Sequence, residues 1–117
     1  MVKEMSVEEL LKWKEKGFGH VQFVIVKTKT CPKCIKFLNH FDKYFDRLED
    51  ENVAIFTQEN TLEYDESRKL LLDLLVTTVP VVLYKDNSIV RVKYTDDLNA
   101  FDTWMKSYLT DNGNAIL

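Results

Sequence analysis

The only two cysteines of the chain fall within five residues, Thr30-Cys31-Pro32-Lys33-Cys34. They follow the apolar run Phe23-Val24-Ile25-Val26 and precede a long amphipathic stretch. At a helix start this spacing sets the sulfurs one turn apart, with Cβ atoms roughly 5–6 Å from each other, near enough to bridge after small adjustments. The chemistry it supports is reversible thiol–disulfide exchange. With Cys31 at the N-cap, its sulfur faces the unpaired amides and positive dipole end of the following helix, which favour thiolate over thiol. Pro32 suits the first helical position, where its missing N–H would have had no partner and its fixed φ stiffens the turn. Lys33, together with Lys27 and Lys29, adds positive potential. Cys34, inside the first turn, is placed to attack a mixed disulfide formed on Cys31. Cys31 is therefore read as the nucleophile and Cys34 as the resolving thiol, with Pro32 and Lys33 in support.

Two plainer readings compete. Zinc usually takes four soft ligands, and the only histidines, His20 and His40, match no common finger spacing, so no metal is expected. Inert thiols pack like small hydrophobes, but a proline between them at a strand-to-helix junction suits a reactive pair better.

The pair needs a strand to end at it and a helix to start from it. Val21 to Val26 is β-branched and aromatic with almost no polar interruption, as in a strand covered on both faces. From Pro32 to about Leu48, Ile35, Leu38, Phe41, Phe45 and Leu48 recur at steps of three and four, which predicts a helix with that apolar face. Upstream, Ser6-Val7-Glu8-Glu9 has the capping-box form and opens a short helix that Gly17-Phe18-Gly19 ends. Downstream, Val53–Thr57 reads as a strand and the leucine-rich segment ending near Val76 as a helix, its acids Glu59, Glu63, Asp65 and Glu66 forming a solvated start. Val79–Tyr84, the turn Lys85–Ser88 and Ile89–Tyr94 read as an antiparallel hairpin. Thr95 is read as the cap of a last helix whose Leu98, Phe101, Met105, Tyr108 and Leu109 share one face. Thr110 to Leu117 is expected to be a loosely held tail. Strands alternating with helices argue for a right-handed parallel crossover, and the hairpin adds two antiparallel strands. The expectation is an α/β domain over residues 1–117, with a four-stranded mixed sheet flanked by helices on both faces.

Composition bounds the partners. At 117 residues, 45% of them hydrophobic, the chain suits one compact domain. A net charge of −3 from interspersed acids and bases gives no pull toward nucleic acid or an anionic membrane. Met1–Ser6 carries an acid where a signal peptide needs an apolar core, and no apolar run approaches the roughly 20 residues that span a bilayer, so a cytoplasmic location is expected. A reducing compartment also suits a lone Cys-x-x-Cys pair used for redox chemistry. Partners are expected to be proteins or small molecules, and the chain a monomer.

Cys31-Pro32-Lys33-Cys34 after the first core strand and Thr78-Val79-Pro80 before the third, in this element order, resemble the thioredoxin superfamily over about Ser6 to Leu109. The resemblance implies a thioredoxin fold with an extra N-terminal helix and a cis Val79–Pro80 bond lying against the cysteine pair. It further implies that Val79 offers its backbone to an extended substrate segment, with Thr78 beside it, and that Pro80 shapes the groove and keeps metal from the thiols. The Cys-Pro-x-Cys form and Thr-Val-Pro resemble glutaredoxins, and Thr95-Asp96-Asp97-Leu98 looks like the segment that holds the γ-glutamyl end of glutathione. On that likeness Asp96, Asp97, Lys27 and Lys29 are glutathione-binding candidates. Lys93-Tyr94 replaces the usual Gly-Gly, and Thr28 stands where a lysine is expected. Thioredoxins differ in another way, having tryptophan where Thr30 stands and a buried aspartate where Ile25 stands. The implied activity is a small dithiol reductase of protein disulfides, with ribonucleotide reductase among plausible clients and a reductase or glutathione as electron donor. A glutathione-dependent glutaredoxin is the first alternative and a non-catalytic adaptor of the same fold the second.

Among the remaining residues, Trp13 and Trp104 are read as core-edge aromatics in preference to groove walls. His20 and His40 are read as surface or capping groups in preference to proton shuttles. Tyr94 stands where its ring would narrow the groove.

Overall fold

The computed structural model describes residues 2–58 and 66–111. Five strands form one sheet: β1 (Lys3–Glu4), β2 (Phe23–Thr28), β3 (Val53–Gln58), β4 (Val81–Asp86) and β5 (Ile89–Tyr94). The helices are α1 (Val7–Lys16), α2 (Pro32–Phe41), α3 (Glu66–Asp73) and α4 (Leu98–Asp111). The strand order is β1-β3-β2-β4-β5, with β3 parallel to β2 and to β1, and β4 antiparallel to β2 and to β5. This is an α/β architecture compatible with a thioredoxin-like fold.

The sheet has five strands where the sequence predicts four. The extra one, Lys3–Glu4, carries no alternating pattern, and only pairing with Ala54 and Ile55 along the edge of β3 makes it a strand. Met5 continues that contact, donating its N–H to the Ile55 carbonyl at 2.8 Å. The chain then turns into α1 at the expected capping box, Ser6 Oγ accepting from the Glu9 amide and Glu9 Oε1 from the Ser6 amide, both at 3.1 Å. Gly17, at φ +87, ends α1 in a conformation that favours glycine.

Alternation along β2 divides the core. Val24 and Val26 face one layer with Leu10, Trp13, Leu70 and Leu71, while Phe23 and Ile25 face the other with Phe37, Phe41, Phe101 and Met105. Helices therefore cover both faces, as expected. Trp13 is fully buried and donates Nε1–H to the Val21 carbonyl at 2.9 Å, which places it in the core. Lys85 of β4 lies over its ring and donates to the carbonyls of Trp13 and Lys14, satisfying the C-terminal end of α1, and burial lowers its pKa. Trp104 is half-buried and stacks on Tyr108, matching the core-edge reading.

Several boundaries differ from expectation. The α2 segment ends at Phe41 and continues as a 3₁₀ turn over Asp42–Asp46. Its buried face is Cys34, Phe37 and Phe41, whereas Ile35, expected inward, is 61% exposed. The packing partners Phe101 and Met105 of α4 decide which stripe goes inward, and Phe37 and Phe41 are large enough to fill that layer. The N-cap of α4 is Asp97 and not Thr95, since Asp97 Oδ1 accepts from the amides of Asn99 and Ala100. At its far end α4 runs to Asp111, so Thr110 is helical and not part of a tail. Residues 112–117, and the acids Glu59, Glu63 and Asp65 before α3, lie outside the described residues. The hairpin turn narrows to Asn87-Ser88, at φ +50 and +72, the two left-handed residues that a tight hairpin needs.

A polar clasp fixes the far end of α2 to α4. Asp102 accepts from His40 Nε2 and Lys43 Nζ, each at 2.8 Å, and from the Tyr44 hydroxyl. Burial works to raise the Asp102 pKa, but the hydrogen bonds from Lys43, Tyr44 and His40 outweigh it and hold the carboxyl at about 2 against an ordinary 3.8. The Tyr44 hydroxyl is pushed up, first by burial and then by the carboxylate it donates to, so it stays a neutral donor. As pH falls, the unfolded chain takes up this proton before the folded one, so the stabilisation is complete above about pH 4 and is lost between about 4 and 2. Asp102→Asn should cost about 1–2 kcal/mol at neutral pH, from the loss of charge-assisted bonds at a partly exposed site, and should flatten that acid limb. Urea melts of both proteins at pH 7, 4 and 2.5 measure the difference.

Beyond α3, Leu75 N–H bonds to the Leu72 carbonyl at 2.9 Å and Val76 N–H to the Leu71 carbonyl at 2.8 Å, a Schellman closure. Its left-handed position is taken by Leu75, at φ +61, where glycine is usual. The side chain is 71% exposed, so little packing is lost on removing it. Leu75→Gly should therefore raise stability by about 0.5–1 kcal/mol, backbone strain relieved less the added chain entropy of glycine, read as an upward shift of the denaturant midpoint at unchanged m.

Candidate active site

The register brings three connections to one edge of the sheet. Val26 pairs with Val81, and Val81 with Tyr94, so the end of β2, the start of β4 and the end of β5 stand side by side. The β2–α2 connection, the α3–β4 loop and the β5–α4 turn therefore converge.

On the first of these, Cys31 is the N-cap of α2, in extended backbone at φ −143 and ψ 95, and Pro32 takes the first helical position. Cys31 Sγ accepts from the Cys34 amide at 3.1 Å, and its carbonyl accepts from the Cys34 and Ile35 amides. The two sulfurs stand at bonding distance with Cα atoms 5.1 Å apart, inside the span a disulfide tolerates. Their surroundings differ. Cys34 is 1% exposed, whereas Cys31 is only half-buried, so an incoming reactant meets the Cys31 sulfur first. Pro32 and Lys33 are exposed beside it.

The second connection supplies Thr78, Val79 and Pro80, and the Val79–Pro80 bond is cis, as the resemblance implies. Pro80 is buried, and the third connection holds it: Thr95 Oγ1 donates to the Pro80 carbonyl at 2.6 Å. Pro80 and Val79 line different cavities. One, of about 280 Å³, has Lys33, Lys36 and Asp96 as its charged lining and Phe37, Pro80 and Leu98 as its apolar part. The other, of about 180 Å³, is lined by Thr28, Gln58 and the loop from Val76 to Val79.

Of the residues singled out in the sequence, Cys31, Cys34, Pro32 and Lys33 are thus together, Pro80 and Asp96 border the larger cavity, and Thr78 and Val79 the smaller. Asp97 borders neither, its carboxylate being spent on the α4 amides. Lys27 and Lys29 also border neither cavity, and Lys27 Nζ reaches the Thr28 carbonyl at 3.5 Å. Tyr94 does not narrow the larger cavity, because its hydroxyl donates to the Leu75 carbonyl at 2.7 Å and the ring lies toward the α3–β4 loop. Sequence reasoning missed Lys36 and the pinning role of Thr95. Lys36 could have been found, since it lies three residues from Lys33 and so one turn along the same helix face.

Among the described residues no helix is long and apolar enough to cross a membrane, and no group of three or more histidine, cysteine or acidic residues is placed to hold a metal ion. No family model matches the chain, and comparison with curated proteins and with solved structures likewise returned no match.

Proposed function

We propose that this protein is a thiol-disulfide oxidoreductase of the thioredoxin-like kind that reduces protein disulfides through Cys31 and Cys34. The supporting observation is the asymmetry of the pair, an approachable N-cap sulfur that already accepts an amide hydrogen bond, backed by a buried second sulfur within bonding distance. In the reduced protein the same amide and the helix dipole favour the Cys31 thiolate. That thiolate attacks one sulfur of a client disulfide, forming a Cys31–client disulfide and expelling a client thiolate, which takes a proton from solvent. Cys34 then loses its proton and attacks the Cys31 sulfur, releasing the second client thiol and leaving the Cys31–Cys34 bridge. A reductase or glutathione returns two electrons and two protons. On this reading an extended client segment pairs with the Val79 backbone next to Pro80, and the reaction is expected to run in a reducing compartment such as the cytoplasm, with the protein a monomer. Disulfide-containing proteins, ribonucleotide reductase among them, are the partners this reading calls for.

Insulin reduction in the presence of dithiothreitol tests the proposal. Precipitation should be markedly faster with the protein than without it, and an unchanged lag would count against the reading. The larger cavity, with Lys33, Lys36, Thr95 and Asp96 around it, favours one second reading, a glutaredoxin that uses glutathione as co-substrate. Turnover of a small mixed disulfide coupled to glutathione and glutathione reductase separates the two. Under a non-catalytic adaptor role, the cellular function would survive replacement of both cysteines by serine.

A further inference from the structure

The charged lining of the larger cavity is mostly basic, Lys33 and Lys36 against Asp96. Although the net charge is −3, the described residues at the Cys31 end of α2 and β2 include Lys27, Lys29, Lys33 and Lys36. Two lysines and a single acid, Asp96, line the cavity, together with the apolar Phe37, Pro80 and Leu98. Asp97, the other acid of the adjoining turn, is already engaged by two backbone amides. We propose that this cavity selects clients carrying a carboxylate two residues from the reacting cysteine, held by Lys33 and Lys36.

The spacing follows from chain geometry. Lys33 and Lys36 lie two and five residues along α2 from Cys31, about 3 and 7.5 Å along the helix axis. An extended client advances about 3.3 Å per residue and presents residues i and i±2 on the same face. A side chain two positions from the client's cysteine therefore sits about 6.6 Å away and faces the protein when the cysteine faces Cys31. An acid there meets a net positive, partly walled pocket, where steering raises encounter rates and falls away with salt.

This inference rests on the oxidoreductase reading, and its test keeps the two apart. Symmetrical peptide disulfides with Glu, Gln or Lys two residues before the cysteine, and a second set with the change two residues after it, are mixed with reduced protein in single turnover. Each rate is divided by that of the same peptide with dithiothreitol, which also attacks as a thiolate, so that intrinsic differences in disulfide reactivity toward an anionic thiolate cancel. In at least one set the normalised rates should order Glu above Gln above Lys, by about 3- to 10-fold per step at low salt, and should converge within about twofold in 0.5 M salt. Lys36→Glu should abolish or invert the order, while Lys106→Glu, on α4 away from the cavity, should keep it. Changing Lys36 also alters the field at Cys31, but that shifts all peptides alike, so the dependence on peptide charge is the readout. Equal normalised rates in both sets, or an order that Lys36→Glu leaves intact, overturn the proposal while leaving the dithiol chemistry standing. Failure to reduce any peptide overturns both.

Discussion

Cys34→Ser is expected to arrest the reaction at a covalent complex in which the client remains joined to Cys31, visible as a band that dithiothreitol dissolves. The buried second sulfur is the group within reach of the Cys31 bridge, at 5.1 Å between Cα atoms, and a serine hydroxyl cannot break a disulfide. Cys31→Ser removes the sulfur that an incoming client can reach and should lower disulfide reduction by about 10³-fold or more, the scale of losing a nucleophile. The pair of variants separates the roles. Trapping by Cys34→Ser but not by Cys31→Ser supports the assignment, whereas equal trapping by both would mean that Cys34 is not shielded as its 1% exposure indicates. Titration of the reduced protein adds a second check, since a Cys31 thiol ionising like free cysteine would remove the reason for placing it over the α2 amides.

The second large effect concerns stability. Phe37 is 2% exposed and packs edge-on against Phe101 and beside Phe41, so it carries the contact between α2 and α4 while bordering the larger cavity. Phe37→Ala should cost about 3–5 kcal/mol, transfer free energy plus the void left behind, a large share of the about 5–15 kcal/mol that a domain possesses. Ile35→Ala, two residues away on the same helix, should stay within about 0.5 kcal/mol because that side chain is mostly in water. Urea denaturation of the oxidised proteins measures both. Equal losses would mean that α2 is rotated so that the stripe containing Ile35 packs inward.

That contrast marks where sequence reasoning stops. The period of three and four after Cys34 is satisfied by Ile35, Leu38 and Phe41, and nearly as well by Cys34, Phe37 and Phe41. Only the aromatic layer presented by α4 chooses between them. The same holds for Asp96 and Asp97: both sit in a turn with the look of a ligand-binding segment, yet the start of α4 at Leu98 makes one a helix cap and leaves the other at the cavity. Lys27 and Lys29 flank the expected lysine position in the chain, but the cavity takes its charges from Lys33 and Lys36 on the helix instead.

By itself the sequence determined the local features, those set by the chemistry of adjacent residues: the capped α1, the cysteine pair with Pro32 at a helix start, the apolar central strand, the hairpin, and one α/β layer arrangement. Each depends on periodicity, capping or a fixed φ within a few residues, which a linear string contains. The tertiary structure alone decided that Lys3–Glu4 is a fifth strand, that Thr95 pins Pro80, that Asp102 gathers His40, Lys43 and Tyr44, and that Lys36 borders a cavity with Pro80 and Asp96. These are pairings between residues far apart in the chain, and their geometry comes from the sheet register and from which helix face the core accepts, neither of which any short window of sequence specifies.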